Sequence, residues 1–183
     1  MYFAGKKGTV VASTAAVGKT FLGLKYPKRV MDLGVMNFSS LKKNTESSTK
    51  EAVKNVEYGN PEFPQNYFKA INTEQNNYDL VLVAFLIELQ RNPSFADELR
   101  NEHGVDFMIA IPKTSALKAI IKRMVDRGNN PTFIKYISET YPDIIKEFSK
   151  DKYDANRIFI EDNEYLEDAL VRENLFVPSE RGV

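Results

Sequence analysis

Thr9-Val10-Val11-Ala12-Ser13-Thr14-Ala15-Ala16-Val17-Gly18-Lys19-Thr20 is the stretch whose reading decides the fold. It opens on an apolar, largely β-branched run, the composition of a buried strand. A loop of small residues follows and closes on Gly-Lys-Thr, the layout of a phosphate-binding P-loop. The full pattern has a glycine five positions before Gly18, and that position is Ser13, so the signature is present but degenerate.

In such a loop, Ser13, Thr14, Ala15, Ala16, Val17 and Gly18 supply backbone N–H groups that wrap phosphates, Lys19 bridges the terminal phosphates, and the Thr20 hydroxyl faces Mg²⁺. The start of the following helix adds a favourable dipole. Gly18 is required where a side chain would crowd the phosphate or the turn. Ser13 is a smaller loss than Gly18 or Lys19 would be, because a short side chain is compatible with the turn.

Outward from this stretch, apolar β-branched runs at 9–13, 29–33, 79–85, 106–112 and 157–161 predict five buried strands. Helical spacing or turn chemistry lies between them. Residues 20–25 predict a short helix stopped by Pro27. Residues 64–73 space Tyr67, Phe68 and Ile71 along one face. Helices are expected at 95–102 and 115–127, the latter with Leu117, Ile120, Ile121 and Met124 as a stripe. Two more are expected at 131–149 and 164–173. Strands alternating with helices predict an α/β fold, a three-layer P-loop NTPase architecture with a five-stranded parallel sheet and helices on both faces. The whole of 1–183 is expected to form one kinase-like domain, with a mobile polar connection at about 44–55 and a tail from about Pro178. Gly128-Asn129-Asn130-Pro131 breaks the helices of an expected lid region at about 113–150.

Composition narrows the chemistry. Lys plus Arg number 25 and Asp plus Glu number 25, so no net field steers the chain onto nucleic acid. Nucleic acid is therefore a conceivable partner that the charge does not indicate. There is no Cys and one His, His103, which removes thiolate metal sites and makes a His-based zinc site or serine triad implausible. No apolar run approaches the ~20 residues of a membrane span, so no membrane partner is expected. The N-terminus has lysines without an apolar signal core behind them, and a cytoplasmic location is the expectation.

Asp32 falls near the carboxyl end of the second strand, where ligands gather in open α/β sheets. It would hold Mg²⁺ with Thr20 or take the proton of an attacking hydroxyl, or it simply caps the next turn. The third strand ends in Ala84-Phe85, without the metal-binding acid on which ATPase motors and GTPases depend. Arg123 and Arg127, four apart, share one helix face, either closing over a transferring phosphoryl group or forming a solvated basic face with Lys118 and Lys122. Arg91, after the third strand, would hold an acceptor phosphate, with Arg100 and plain surface exposure competing. Asn60-Pro61-Glu62-Phe63-Pro64 fixes an extended turn that either forms an acceptor pocket, with Phe63 or Tyr67 stacking on a base, or is a rigid connection with Phe63 in the core. Residues 34–48 and 60–67 would form the acceptor pocket, which adds Asn37 and Phe38 to the candidate contacts.

Taken together, Gly18-Lys19-Thr20, Asp32 with Asn37-Phe38, Asn60-Pro61-Glu62-Phe63-Pro64-Gln65-Asn66-Tyr67, Arg123 with Asp126-Arg127-Gly128, Phe133-Ile134 and Glu164-Tyr165-Leu166-Glu167-Asp168 span most of the chain. In these elements the chain resembles small P-loop kinase-like proteins of bacteriophages and prophages. That family is distantly similar to adenylate kinase, other nucleoside monophosphate kinases and the phage enzymes that phosphorylate hydroxymethyl-pyrimidines in DNA. The resemblance implies strand order 2-3-1-4-5, ATP with Mg²⁺ on the loop, a lid after the fourth strand and, for a phage protein, the host cytoplasm. Two departures stand out: Ser13 for the first glycine, and Gly34-Val35-Met36 where a more polar stretch is expected.

The leading expectation is an ATP-dependent phosphotransferase acting on a nucleoside, a nucleotide or a modified base, free or in DNA. Lys19, Asp32, Arg123 and Arg127 would be its catalytic groups. The competing expectation is a non-catalytic nucleotide-binding or interaction module with a degenerate loop. Simple nucleotide hydrolysis is a further alternative.

Overall fold

The structure is a computed structural model, and it describes residues 7–39, 59–150 and 152–178. The expected connection at 44–55 and the residues after Pro178 lie outside the described residues.

Five parallel strands form one sheet: β1 (Thr9–Ser13), β2 (Val30–Leu33), β3 (Leu80–Val83), β4 (Met108–Pro112) and β5 (Arg157–Ile160). Their order across the sheet is β2-β3-β1-β4-β5. Register is continuous, with Thr9 opposite Leu80, Asp32 opposite Leu82 and Ser13 opposite Ala110. Successive strand residues point to opposite faces. Since Val10 to Ser13 and Leu80 to Val83 are all buried, the central strands are covered on both sides. Layers on both faces explain why these strands read as continuous apolar runs instead of alternating ones.

Among the described residues the helices are α1 (Lys19–Lys25), α2 (Met36–Ser39), α3 (Gln65–Glu74), α4 (Leu86–Arg91), α5 (Ser94–Asn101), α6 (Leu117–Asp126), α7 (Pro131–Phe148) and α8 (Leu166–Arg172). A 3₁₀ turn, Thr114–Ala116, leads into α6. Each longer helix buries one stripe: Tyr67, Phe68 and Ile71 on α3, Ile120 and Met124 on α6, and Ile137, Tyr141, Ile144, Ile145 and Phe148 on α7. The break before α7 is capped by Asn130, whose side chain accepts from the Thr132 N–H, and Pro131 occupies the first helical position. The region expected as a lid is thus the pair α6–α7, and α7 packs on β4 and α4 through its apolar stripe.

Strand order reverses at β1, which has β3 on one side and β4 on the other. A crevice forms outside the carboxyl ends of such strands, at the switch point. The loop after Ser13 leaves the sheet at that point. The fold therefore delivers the opening stretch to the place where an α/β sheet binds ligands.

Candidate active site

Ser13 is the last residue of β1, 2% exposed, with its backbone in register with Ala110 and its hydroxyl unpaired. The small serine side chain fits inside the sheet edge where the full pattern has glycine. Beyond it, Ala16 adopts a left-handed φ of 60° and Gly18 a φ of 104°. A Cβ on Gly18 would lie 3.3 Å from Cδ1 of Tyr165, so a side chain there is strained by the positive φ and requires the Tyr165 ring to shift. Ala16 meets the same left-handed demand without glycine's freedom, which costs of order 1 kcal/mol.

Remote residues tie the loop down. The Tyr141 hydroxyl, on α7 and 2% exposed, donates to the Ala15 carbonyl at 2.9 Å. The Leu166 N–H, at the start of α8, donates to the Val17 carbonyl at 2.9 Å. Burial pushes the Tyr141 hydroxyl pKa up, so it remains a donor at any ordinary pH. Tyr165 lies against Gly18, with the Arg123 guanidinium 4.0 Å from its ring centroid. Arg123 also donates to the Glu164 carbonyl at 3.0 Å.

The Lys19 ammonium turns back over the loop, donating to the Thr14 carbonyl at 2.5 Å and reaching the Ser13 carbonyl at 3.5 Å. Desolvation lowers its pKa to about 8, with the Asp32 carboxylate opposing that shift. Thr20 Oγ1 donates to Asp32 Oδ2 at 2.9 Å. That contact is set by α1 packing on β2, where a Cβ at Gly23 would meet Asp32 Cβ at 3.4 Å. A hydroxyl and a carboxylate oxygen so close make a hard-oxygen pair of the kind Mg²⁺ prefers. Among the described residues no group of three or more His, Cys, Asp or Glu converges on one point, so any cation here would rely on this pair together with phosphate oxygens and water.

On the β2–β3 side, Tyr67 is fully buried. Its hydroxyl donates to the Leu33 carbonyl at 2.8 Å and accepts from the Ala84 N–H at 3.3 Å, bridging the carboxyl ends of β2 and β3. Phe38, Phe63 and Phe85 surround its ring, with centroids at 4.9, 6.2 and 6.5 Å. Of the two roles open to it, the structure places Tyr67 as a core brace, with no face left for a base. Phe63 is half-buried against Tyr67 and Phe95. Asn37 is exposed on α2, and the Phe38 carbonyl accepts from both Asn60 and Asn66.

The structure therefore brings Ser13 to Thr20, Asp32 and, through Tyr165, Arg123 into one neighbourhood. Arg127 caps the end of α6, exposed and without an ion pair among the described residues. Arg91 is exposed in the last turn of α4.

Three residues were not singled out in the sequence. Tyr165, which the sequence offers only within the stretch Glu164-Tyr165-Leu166-Glu167-Asp168, precedes α8 and covers Gly18. Tyr141 is the one buried hydroxyl in the apolar stripe of α7. Glu88 is a carboxylate inside Phe85-Leu86-Ile87-Glu88-Leu89, and a charge in an apolar run was the available signal. Its carboxyl is largely buried, Oε2 has no hydrogen-bond partner, and desolvation raises its pKa against the pull of Arg91. A separate cavity of about 740 Å³, lined by Thr9, Gln75, Asp106, Asp154 and Arg157 among others, opens at the amino ends of β1, β4 and β5, the opposite edge of the sheet.

No family model matches the sequence, and neither does any curated protein. Solved structures do match. The tunicamycin resistance protein of Deinococcus radiodurans superposes with a TM-score of 0.55 at 11% identity, covering 95% of this chain and 100% of that one. A sugar kinase from Janibacter sp. HTCC2649 superposes with a TM-score of 0.51 at 12% identity, covering 92% of each chain. The likeness is one of fold. Five parallel strands in the order 2-3-1-4-5, covered on both faces, are shared over nearly the whole length. No helix among the described residues is long and apolar enough to cross a membrane.

Proposed function

We propose that the chain is an ATP-dependent phosphotransferase acting on a nucleoside, a nucleotide or a modified base. The observation that carries this reading is the assembly of Lys19, Thr20 and Asp32 around a loop at the switch point of the sheet, with the Thr20–Asp32 contact already made at 2.9 Å. The fold likeness to a sugar kinase and a resistance protein supports it.

The groups have distinct roles. Loop amides and the Lys19 ammonium hold the phosphates of ATP. A polyphosphate beside Lys19 restores the charged form that burial disfavours, so the amine is matched to an anion. Thr20 and Asp32 would hold Mg²⁺, which when bound neutralises charge on the phosphate oxygens. Arg123, fixed over Tyr165, adds positive charge on the α6 side of the loop. Arg127, extending freely from the end of α6, is suited to reach in when the nucleotide is bound.

The test is transfer of label from γ-labelled ATP to a panel of nucleosides, nucleotides and modified bases, with Lys19→Ala as control. Turnover of a panel member that disappears in Lys19→Ala supports the reading, and phosphate release without any acceptor product replaces it with simple hydrolysis. A second reading, a non-catalytic nucleotide-binding module, is favoured by Ser13 and by the lack of an acid at the end of β3. It predicts ATP affinity without transfer.

A further inference from the structure

Among the described residues no carboxylate pairs with Arg123, although one aromatic ring is all that separates its charge from the phosphate loop. The side chain leaves the last turn of α6 and is half-buried. Its guanidinium carbon lies 4.0 Å from the centroid of the Tyr165 ring, and one N–H donates to the Glu164 carbonyl at 3.0 Å. Among the described residues it makes no other hydrogen bond. The acids around that ring are committed elsewhere. Glu164 accepts from Arg172 at 2.9 and 3.1 Å and from the Glu161 N–H at 2.9 Å. Glu167 holds Lys25 at 2.9 Å, and Asp168 accepts from the Tyr165 N–H at 2.8 Å. The ring, in turn, is fitted to the loop. Cδ1, Cβ and Cγ of Tyr165 lie 3.3, 3.7 and 3.9 Å from the place where Gly18 would carry a Cβ. The Leu166 N–H, next in the chain, donates to the Val17 carbonyl at 2.9 Å. Tyr165 nevertheless stays 40% exposed, so core packing does not account for its position.

A half-buried guanidinium without a counter-charge is matched to an anion. Fixing a mobile arginine on a ligand costs about 2 kcal/mol of side-chain freedom. Here the ring and the Glu164 carbonyl have fixed it before any ligand arrives, and preorganisation of this kind raises affinity by removing that cost. Stacking occupies a face of the guanidinium and leaves its remaining donors pointing outward in their own plane, where a phosphate can take two at once. From this geometry, and resting on the phosphate-loop reading above, we infer that Tyr165 is a positioning residue. Its ring sets the Arg123 guanidinium beside Gly18, ready for the polyphosphate of a bound nucleotide. Tyr165 acts through Arg123, and its contribution goes to the phosphate chain and not to the base.

The experiment is calorimetry with two probes, Mg–ATP and Mg–tripolyphosphate, which share the phosphate chain but not the base. It compares wild type, Tyr165→Phe, Tyr165→Leu, Arg123→Gln and the double variant Tyr165→Leu/Arg123→Gln, with thermal unfolding of each protein as the check on folding. Tyr165→Leu should weaken both probes by about 3- to 30-fold, the range of a cation–π contact, while Tyr165→Phe keeps the ring and should stay within about 2-fold of wild type. Arg123→Gln should weaken both probes at least as much as Tyr165→Leu. Adding Tyr165→Leu to it should cost nothing further, because the ring acts only through the guanidinium. A loss confined to ATP makes the ring a platform for the base and overturns the inference. Wild-type binding in Tyr165→Leu, a loss in Tyr165→Phe as large as in Tyr165→Leu, or a further loss in the double variant also overturns it. If Tyr165→Leu does not fold, Arg123→Gln and Tyr165→Phe decide, since both leave a ring over Gly18. Weakened tripolyphosphate binding in Arg123→Gln with wild-type binding in Tyr165→Phe then supports the inference, and any other pattern overturns it. Failure of wild type to bind either probe ends the phosphate-loop reading itself, and the inference with it.

Discussion

Lys19→Met should make the free protein more stable while destroying its ability to bind nucleotide. The lysine pKa falls from 10.5 to about 8 on folding because the ammonium is desolvated over the loop, with Asp32 offsetting part of the effect. At roughly 1.4 kcal/mol per unit, the charged form is disfavoured in the folded state by about 3 kcal/mol. Methionine keeps the length of the side chain without the charge. It gives up the bond from the ammonium to the Thr14 carbonyl, worth about 1.5 kcal/mol for a charged donor, and a long contact with the Ser13 carbonyl. The net expectation is a gain of about 1–2 kcal/mol at pH 7, a rise in unfolding midpoint of roughly 2–8 °C for a chain of this size. The pH dependence carries a definite sign. Below pH 8 both states hold the proton and the penalty is complete. Between about 8 and 10.5 the unfolded chain still holds it while the folded chain has released it, so wild-type stability rises with pH and the advantage of Lys19→Met shrinks. Urea unfolding of both proteins at pH 7 and pH 9.5 measures this. Loss of stability in Lys19→Met at pH 7, or a gap that does not narrow at the higher pH, refutes the account of a desolvated lysine waiting for an anion.

Other substitutions probe the supports around the loop. Tyr141→Phe removes only the hydroxyl on the Ala15 carbonyl and should cost about 1 kcal/mol in urea unfolding, with weaker ATP binding by calorimetry. Gly18→Ala places a Cβ against Tyr165 at positive φ and should lower stability by about 1–3 kcal/mol, read from the unfolding midpoint. Thr20→Val and Asp32→Asn break one exposed contact, so each should change stability by less than about 0.5 kcal/mol. Both should also raise the Mg²⁺ concentration needed for ATP binding, followed by titrating Mg²⁺ at fixed ATP.

The strands were legible because burial on both faces turns each into an apolar, β-branched run, and β1 was bounded correctly at Thr9–Ser13. The expected strand at 79–85 exceeds the paired Leu80–Val83 at both ends: Ala84-Phe85 prolong the apolar run beyond the last paired residue, while the charged Asp79 lies before the first. Helices α2 and α4 went unread, being too short to show a helical period. Much of the neighbourhood of the loop was legible because Gly18, Lys19 and Thr20 are local in sequence. The Thr20–Asp32 contact depends on how closely α1 packs on β2. The seats of Tyr141 and Tyr165 against the loop join residues more than a hundred positions apart, which no local pattern encodes. Tyr67 had two possible roles in the sequence, and only its hydroxyl bonds to Leu33 and Ala84 separate a core brace from a stacking platform.

The central claim, that a loop with Ser13 in place of glycine still holds nucleotide phosphates, rests most directly on calorimetric titration of Mg–ATP into the wild-type chain and into Lys19→Ala. Saturable binding of one ATP per wild-type chain, absent in Lys19→Ala, is the predicted result. No heat of binding in wild type, or equal binding by both proteins, contradicts it.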